Sequence, residues 1–181
     1  MPAAAPDLSL TEWVVLGILA EGPAHGFAVA RALKRGTPLG EVWTVPRPLV
    51  YRAIGRLLDQ GLLGEVGEEP GSPGPPRTVY KITTAGRKAA ERWRAEPVSH
   101  LREVRSGFLV KALLRSRAGE SLVPLVEAQQ AAFVPVFGSL REALDRGEPE
   151  PVVAAWRYES AQAAARLLER LGGDTDGSRR E

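Results

Sequence analysis

Apolar positions in the first third of the chain recur with the spacing of short helices. An apolar run ending near Ala20 follows the capping box S-x-x-E at residues 9–12 and is stopped by Gly22-Pro23, which predicts a first helix. A second helix is expected over about residues 26–35, closed by Gly36. Residues 37–45, with two breakers among them, are interpreted as a connector.

The run from Pro46 to Leu63 has the clearest helical pattern. One stripe of the predicted helix is apolar and is formed by Val50, Ile54, Leu57 and Leu58. Arg52 and Arg56 project from the opposite side, so the helix has a core face and a cationic face. Pro48 suits its first turn, and Gly61 suits the left-handed position after its last turn.

A two-stranded hairpin is expected after this helix. Leu62–Val66 and Thr78–Thr83 are short β-prone segments, and the Pro/Gly-rich residues 70–76 between them predict a mobile tip. An arginine-bearing helix followed by such a hairpin is typical of a winged helix-turn-helix protein that reads DNA. A fourth helix, capped by Thr83 or Thr84, is expected to end at Pro97.

The rest of the chain, over about residues 98–171, is predicted to be wholly helical. Its three apolar stripes have little else to cover them, which favours burial against a second copy, and Pro135 is expected to kink or split the middle helix. The prediction is a mainly α fold (α+β winged helix), with an N-terminal winged helix-turn-helix domain at 1–96, an all-helical dimerisation region at 97–171 and a disordered tail at 172–181.

Composition limits the alternatives. The 181 residues are 44% hydrophobic and 25% charged, typical of a globular protein, and there is no Cys for disulfides, thiolate catalysis or Cys-ligated metals. The N-terminus has no basic segment like that of a signal peptide, and no apolar run reaches the roughly 18 residues that span a membrane. We therefore expect a cytoplasmic protein that makes no membrane contact.

The charge distribution favours nucleic acid more than the net charge of +2 does. Residues 1–96 contain 12 Lys and Arg against 10 Asp and Glu, whereas residues 97–181 contain 12 of each kind. Between Phe27 and Leu58 there are six basic residues and a single acid, Glu41. Such a local patch attracts phosphate even on a nearly neutral protein.

Five stretches of the sequence resemble the PadR family of bacterial transcriptional regulators. They are LGILAEGPAHGFAVARAL, LVYRAIGRLLDQGLL and GPPRTVYKITTAGR, and more loosely REVRSGFLVKALLRSRAG and YESAQAAARLLERL. The resemblance implies a homodimer that binds an inverted-repeat operator in double-stranded DNA, usually as a repressor. It also implies a helical dimerisation region that senses small molecules in some members. The family commonly has a Pro where Arg52 stands here.

Two groups of candidate site residues follow. The predicted DNA contacts are Arg47, Tyr51, Arg52, Arg56, Arg77 and Lys81. Arg47 is the weaker helix candidate because Pro46 and Pro48, on either side of it, can shift the helix start. The predicted effector pocket, for a small aromatic or amphipathic compound, comprises Trp93, Phe108, Trp156 and Arg157. Aromatic residues of the helical half can equally form a dimer core.

Other classes of function have weaker support. His25 and His100 are far apart and lack a carboxylate cluster, so no metal site and no cofactor is expected, and His25 is interpreted as a structural turn residue. No nucleophile elbow, P-loop or dinucleotide-binding motif occurs, which argues against an enzyme. A winged helix that binds only protein remains the alternative, and its outward helix face would lack arginine.

Overall fold

The computed structural model describes residues 6–70, 76–147 and 150–177, with side chains up to residue 173. The chain divides into two compact units, Met1–Arg94 and Ala95–Glu181, which we call the winged unit and the helical unit. The mainly α fold with a small sheet is confirmed. Most of the predicted hairpin tip, residues 71–75, lies outside the described residues.

The helices of the winged unit are α1 (Leu10–Glu21), α2 (Gly26–Ala32), α3 (Pro38–Val42), α4 (Arg47–Asp59) and α5 (Thr84–Ala95). The capping box of α1 is confirmed, because the Ser9 amide donates to Glu12 Oε2 at 2.7 Å and the Glu12 amide donates to Ser9 Oγ at 3.4 Å. Buried apolar residues from Trp13 to Leu19 make α1 the central helix of the core. The Gly86 amide donates to Thr83 Oγ1 at 3.1 Å, so Thr83 is the cap of α5.

Helix α3 lies in the segment interpreted from the sequence as a connector, and the connector prediction is wrong there. The Thr37 hydroxyl accepts from the Gly40 amide at 3.0 Å and donates to the Ala32 carbonyl at 2.7 Å, so it joins the end of α2 to the start of α3. A Cβ at position 40 would clash with the Lys34 carbonyl. Pro38 and Gly40 therefore serve the first turn and a close approach instead of breaking the helix.

The sheet contains β1 (Ala24–His25), β2 (Leu63–Glu69) and β3 (Arg77–Ile82), all antiparallel in the order β1-β3-β2. The two predicted hairpin strands are present, with an irregularity in register between Glu65 and Gly67. Strand β1 was not predicted. Its two residues pair with Tyr80 and Val79, so it exists only through contact with β3.

The helical unit begins with a 3₁₀ turn (Leu101–Glu103) and a π-helical segment (Val104–Phe108), followed by α6 (Leu109–Arg117), α7 (Val123–Arg146) and α8 (Pro151–Gly177). Its core contains Val98, Val104, Phe108, Leu125, Val126, Phe133, Ala164 and Leu168. Helix α7 continues through Pro135, so the proline does not split the helix.

Helix α8 extends to Gly177, into the segment predicted to be a disordered tail. A Cβ on Gly172 would lie 3.6 Å from Val126, so the backbone of α8 still approaches α7 after Leu171. Extending an existing helix adds hydrogen bonds without a new nucleation cost. Residues 172–177 are therefore helical, and residues 178–181 lie outside the described part of the chain.

Two polar side chains fix the first residues of the helical unit. The fully buried Gln129 accepts from the Val98 amide at 2.7 Å and donates to the Val98 carbonyl at 3.0 Å. The Lys111 ammonium donates to the Glu96 carbonyl at 2.7 Å. Burial lowers the pKa of Lys111 to about 8, although the carboxylates of Glu96 and Glu103 act in the opposite direction.

Candidate nucleic-acid interface

Helix α4 places a row of arginines on its solvent-facing side. Val50, Ala53, Ile54 and Leu57 are buried and fix the rotation of the helix about its axis. Arg47, Arg52 and Arg56 are all exposed, and no acidic residue precedes Asp59 in the helix. Arginine forks match phosphate oxygens and guanine edges, so this face has the chemistry of a DNA-reading helix.

The start of α2 packs closely under α4. An ideal Cβ on Gly26 would lie 2.7 Å from Tyr51 Cε1, which explains why glycine follows His25 at the start of this helix. The His25 ring caps α2, because its Nδ1 accepts from the Ala28 amide at 2.9 Å. The interpretation of His25 as a structural turn residue agrees with this contact. Tyr51 nevertheless remains exposed beside the arginine row.

An exposed aromatic ring brings two of the predicted contacts together. The guanidinium carbon of Arg47 lies 5.4 Å from the centroid of the Phe27 ring, and that of Arg77 lies 4.9 Å from the same centroid. Arg47 also lies 5.5 Å from the Tyr51 ring centroid. All these distances are within cation–π range. We call Phe27, Arg47, Tyr51 and Arg77 the aromatic–arginine cluster; it joins α2, α4 and β3.

Arg56 is held by a buried carboxylate. Its Nε lies 3.0 Å from Glu12 Oε1, and the side-chain exposure of the two residues is 56% and 3%. The other carboxylate oxygen of Glu12 accepts from the amide and the hydroxyl of Ser9 at 2.7 and 2.8 Å. Glu12 therefore caps α1 with one oxygen and holds Nε of Arg56 with the other, while the Arg56 side chain remains exposed on the α4 surface.

The hairpin contributes residues of both charges. On β3, Arg77 is half-buried and Lys81 is exposed, whereas β2 carries the exposed residues Glu65, Glu68 and Glu69. Tyr80 is half-buried between the two neighbouring strands. Burial, and secondly the Glu65 carboxylate, raise the pKa of Tyr80, so its hydroxyl keeps its proton at neutral pH. Arg77 reaches the aromatic–arginine cluster, and Lys81 lies at the register position opposite Gly64.

Phe27 is the member of this surface that sequence reasoning missed. It lies twenty positions before Arg47, and no prediction from the sequence gives it a role. The available signal was an aromatic residue beside His25-Gly26, outside the buried stripe that contains Val29 and Leu33. Exposed aromatic rings interleaved with arginine are a pattern of nucleic-acid surfaces.

The predicted effector residues occupy three different environments. Trp93 stacks on Trp13 in the winged unit, with ring centroids 5.1 Å apart and planes inclined by 6°. Phe108 is fully buried in the core of the helical unit. Trp156 and Arg157 line a cleft of about 870 Å³ within the helical unit, together with Leu101, Arg102, Val104, Arg105, Leu109, Val136, Ser139, Leu140 and Leu167.

Two kinds of feature are absent from residues 6–70, 76–147 and 150–177, which the structure describes. This part of the chain has no group of three or more His, Cys, Asp or Glu residues that could hold a metal ion. It also has no helix that combines the length and apolar character needed to cross a membrane.

Residues 15–92 match the family described as the transcriptional regulator PadR-like family. This match confirms the resemblance identified from the sequence. No curated protein matches the chain.

Three solved structures are similar to the chain. Bacillus subtilis PadR in complex with operator DNA is 17% identical, with a TM-score of 0.48 over 92% of this chain and 97% of that chain. The protein smu.1604c from Streptococcus mutans UA159 is 16% identical, with a TM-score of 0.42 over 88% and 96%. The circadian clock associated protein Pex from Anabaena is 16% identical, with a TM-score of 0.41 over 61% and 78%.

Proposed function

We propose, on the premise that this chain belongs through residues 15–92 to the PadR-like family of transcriptional regulators, that it is a sequence-specific DNA-binding repressor acting as a homodimer. Helix α4 enters the major groove of an inverted-repeat operator, and the β2–β3 hairpin contacts the flanking backbone. The observation that carries this proposal is the row of Arg47, Arg52 and Arg56 on the exposed side of α4.

The row also distinguishes DNA from a protein partner. A protein partner would need carboxylates opposite the three arginines, whereas every nucleotide of a DNA backbone carries an anionic phosphate. Arg47 and Arg77 are already gathered on one ring from two separate elements, α4 and β3. A protein adaptor has no requirement for this arrangement.

Footprinting on the DNA upstream of the chain's own gene tests the DNA-binding proposal. Two protected half-sites with centres roughly 34 to 36 Å apart, or a multiple of this distance, are expected for a two-fold dimer that uses successive major grooves. Binding to no duplex in gel-shift assays at low salt would reject the proposal and favour the protein adaptor.

A second copy of the chain is the proposed cover for the apolar surface of the helical unit. Val134, Val152 and Trp156 are 68%, 74% and 68% exposed, and Val153 is also exposed. Contiguous patches of large apolar side chains are rare on the surfaces of monomeric proteins and common in homodimer interfaces. Equilibrium sedimentation at micromolar concentration should give a dimer, whereas Val152→Asp should shift the equilibrium towards monomer. A monomeric wild-type chain would reject the dimer.

The cleft beside Trp156 is the proposed site of a small aromatic or amphipathic effector. Its apolar wall suits a ring or an alkyl segment, and Arg102, Arg105 and Arg157 provide cations at its border. An effector acts only if it binds the DNA-competent and DNA-incompetent states with different affinities. A compound library should therefore contain members that quench Trp156 fluorescence and release operator together. Compounds that quench without changing operator affinity would leave the helical unit a dimerisation device.

A further inference from the structure

We propose that Phe27 is a positioning residue for DNA binding, because its ring holds Arg47 of α4 and Arg77 of β3 as one phosphate-binding pair. This inference rests on the proposed DNA-binding function and adds a residue and a role to it. It concerns how the recognition helix and the hairpin act on the same stretch of backbone.

Two cations gathered on one ring are the starting observation. The guanidinium carbons of Arg47 and Arg77 lie 5.4 and 4.9 Å from the Phe27 ring centroid. The ring attracts each guanidinium group, but it does not neutralise the positive charge of either one. Phosphate oxygens of a DNA backbone supply the opposite charge that both groups lack. The pair is therefore better satisfied with an anion present than without one.

The position of Phe27 in the fold explains why the ring stays in place. Phe27 follows Gly26, where the Tyr51 ring leaves no room for a Cβ, and the His25 side chain caps the same end of α2. The start of α2 is thus fixed on α4 and, through the pairing of His25 with Val79, on β3. The ring remains 38% exposed, so part of its face is open to the two guanidinium groups and to solvent.

The function of the ring follows from its neighbours. Arg47 is the first residue of α4 and Arg77 is the first residue of β3, so each side chain would sample many rotamers without a support. Ordering an arginine costs side-chain entropy at binding, and a stacking surface reduces that cost beforehand. Phe27 therefore increases affinity without touching DNA itself. Because phosphate contacts carry no sequence information, the gain should be equal on all duplexes.

A double-mutant cycle tests the role of the ring. Fluorescence anisotropy with a labelled random-sequence duplex should give about threefold to thirtyfold weaker binding for Phe27→Leu than for wild type. Phe27→Trp should retain wild-type affinity. In an Arg47→Ala/Arg77→Ala background, Phe27→Leu should change nothing, since the ring then has no cation to hold. An equal loss in both backgrounds, or an equal loss for Leu and Trp, would overturn the proposal.

Fluorinated phenylalanines separate electrostatics from shape. Each added fluorine weakens the negative face of the ring while its size changes little, so affinity should fall stepwise across a series incorporated at position 27. A flat series would show that only packing matters and would reject the cation–π role. Failure of the wild-type chain to bind any duplex is a different result, because it rejects the proposed function itself and the inference with it.

Discussion

The two units of the chain differ in their exposed surfaces, although both bury polar side chains: Glu12 and Arg94 in the winged unit, Gln129 and Lys111 in the helical unit. The winged unit buries the apolar residues of α1 and α4 and displays arginines on the outer side of α4. The helical unit leaves Val152 and Trp156 74% and 68% exposed, more than any large apolar side chain described in the winged unit. The winged unit thus has a row of exposed cations over its core, whereas the helical unit has the more exposed apolar side chains.

Individual glycines of the two units differ in how closely they are packed. In the winged unit, Gly40 and Gly86 each approach a backbone carbonyl so closely that a Cβ would clash. In the helical unit, Gly138 has no heavy atom within 4 Å of an ideal Cβ. Substitution of Gly40 and of Gly138 should therefore have effects of opposite sign on stability.

The largest expected effect is that of Gly40→Ala. The added methyl group clashes with the Lys34 carbonyl, so the free energy of unfolding of the winged unit should fall by more than about 4 kcal/mol. The matched variant Gly138→Ala should gain about 1 kcal/mol, since alanine is the better helix former. Urea unfolding followed by circular dichroism reports both units, and fluorescence in a Trp156→Phe background reports the winged unit alone, because Trp13, Trp43 and Trp93 then remain. Gly40→Ala with wild-type stability would contradict the packing described here.

Arginine substitutions should test the proposed DNA-binding surface of the winged unit. Arg52→Ala is expected to cost about 1 to 3 kcal/mol in operator binding and to relax preference at one base pair. Arg77→Ala should weaken binding to all duplexes similarly and reduce the salt slope by about 0.9. Arg146→Ala, on the helical unit, serves as the control and should leave DNA binding unchanged. Equal affinities for Arg52→Ala and wild type on a mapped operator would contradict the proposed placement of α4 in the major groove.

Ion pairs of the two units should differ in value. Glu12→Gln removes the buried charge that faces Arg56 and is expected to lower the free energy of unfolding by about 1 to 2 kcal/mol. Glu142→Gln breaks the exposed pair with Arg146, 3.8 Å apart, and should cost less than about 0.5 kcal/mol. Thermal unfolding of both variants gives the comparison. Similar losses would mean that burial of Glu12 has no energetic consequence.

A further expected effect concerns alkaline pH and the helical unit. Lys111 loses its proton near pH 8 in the folded chain, whereas in the unfolded chain it retains it to about 10.5. The unfolded state binds more protons in this window, so stability should rise with pH relative to the variant Lys111→Met. Urea unfolding between pH 8 and 10.5 measures this difference. Parallel curves for wild type and variant would exclude Lys111 as the source.

The sequence predicts those elements whose pattern is local. The capping box at Ser9 and Glu12, the apolar stripe of α4 and the cap at Thr83 each depend on residues within a few positions of one another. Strand β1 could not be predicted, because two residues hold no periodicity and the strand depends on β3, more than fifty positions away. Helix α3 was hidden by Pro38 and Gly40, which are breakers in most contexts.

The candidate site follows the same rule. The arginines of α4 were found because they lie on the face opposite Val50 and Ile54. Phe27 was missed because its partners come from two other elements, and no spacing in the sequence relates it to Arg77. The continuous helix at Pro135 also depends on the surroundings of the residue. Pro135 and Ala131 are both exposed, so water can donate to the Ala131 carbonyl in place of the backbone N–H that proline lacks.

The anchoring of Val98 by Gln129 determines where the chain can be divided. Both hydrogen bonds are formed by the side-chain amide of Gln129, which is fully buried, so the backbone of Val98 supplies the partners that this amide needs. A shortened chain that starts at residue 99 would leave this amide buried without partners, whereas one that starts at residue 95 would retain them. The position at which the helical unit can be separated thus depends on the amide and the carbonyl of Val98, a residue that belongs to no helix or strand.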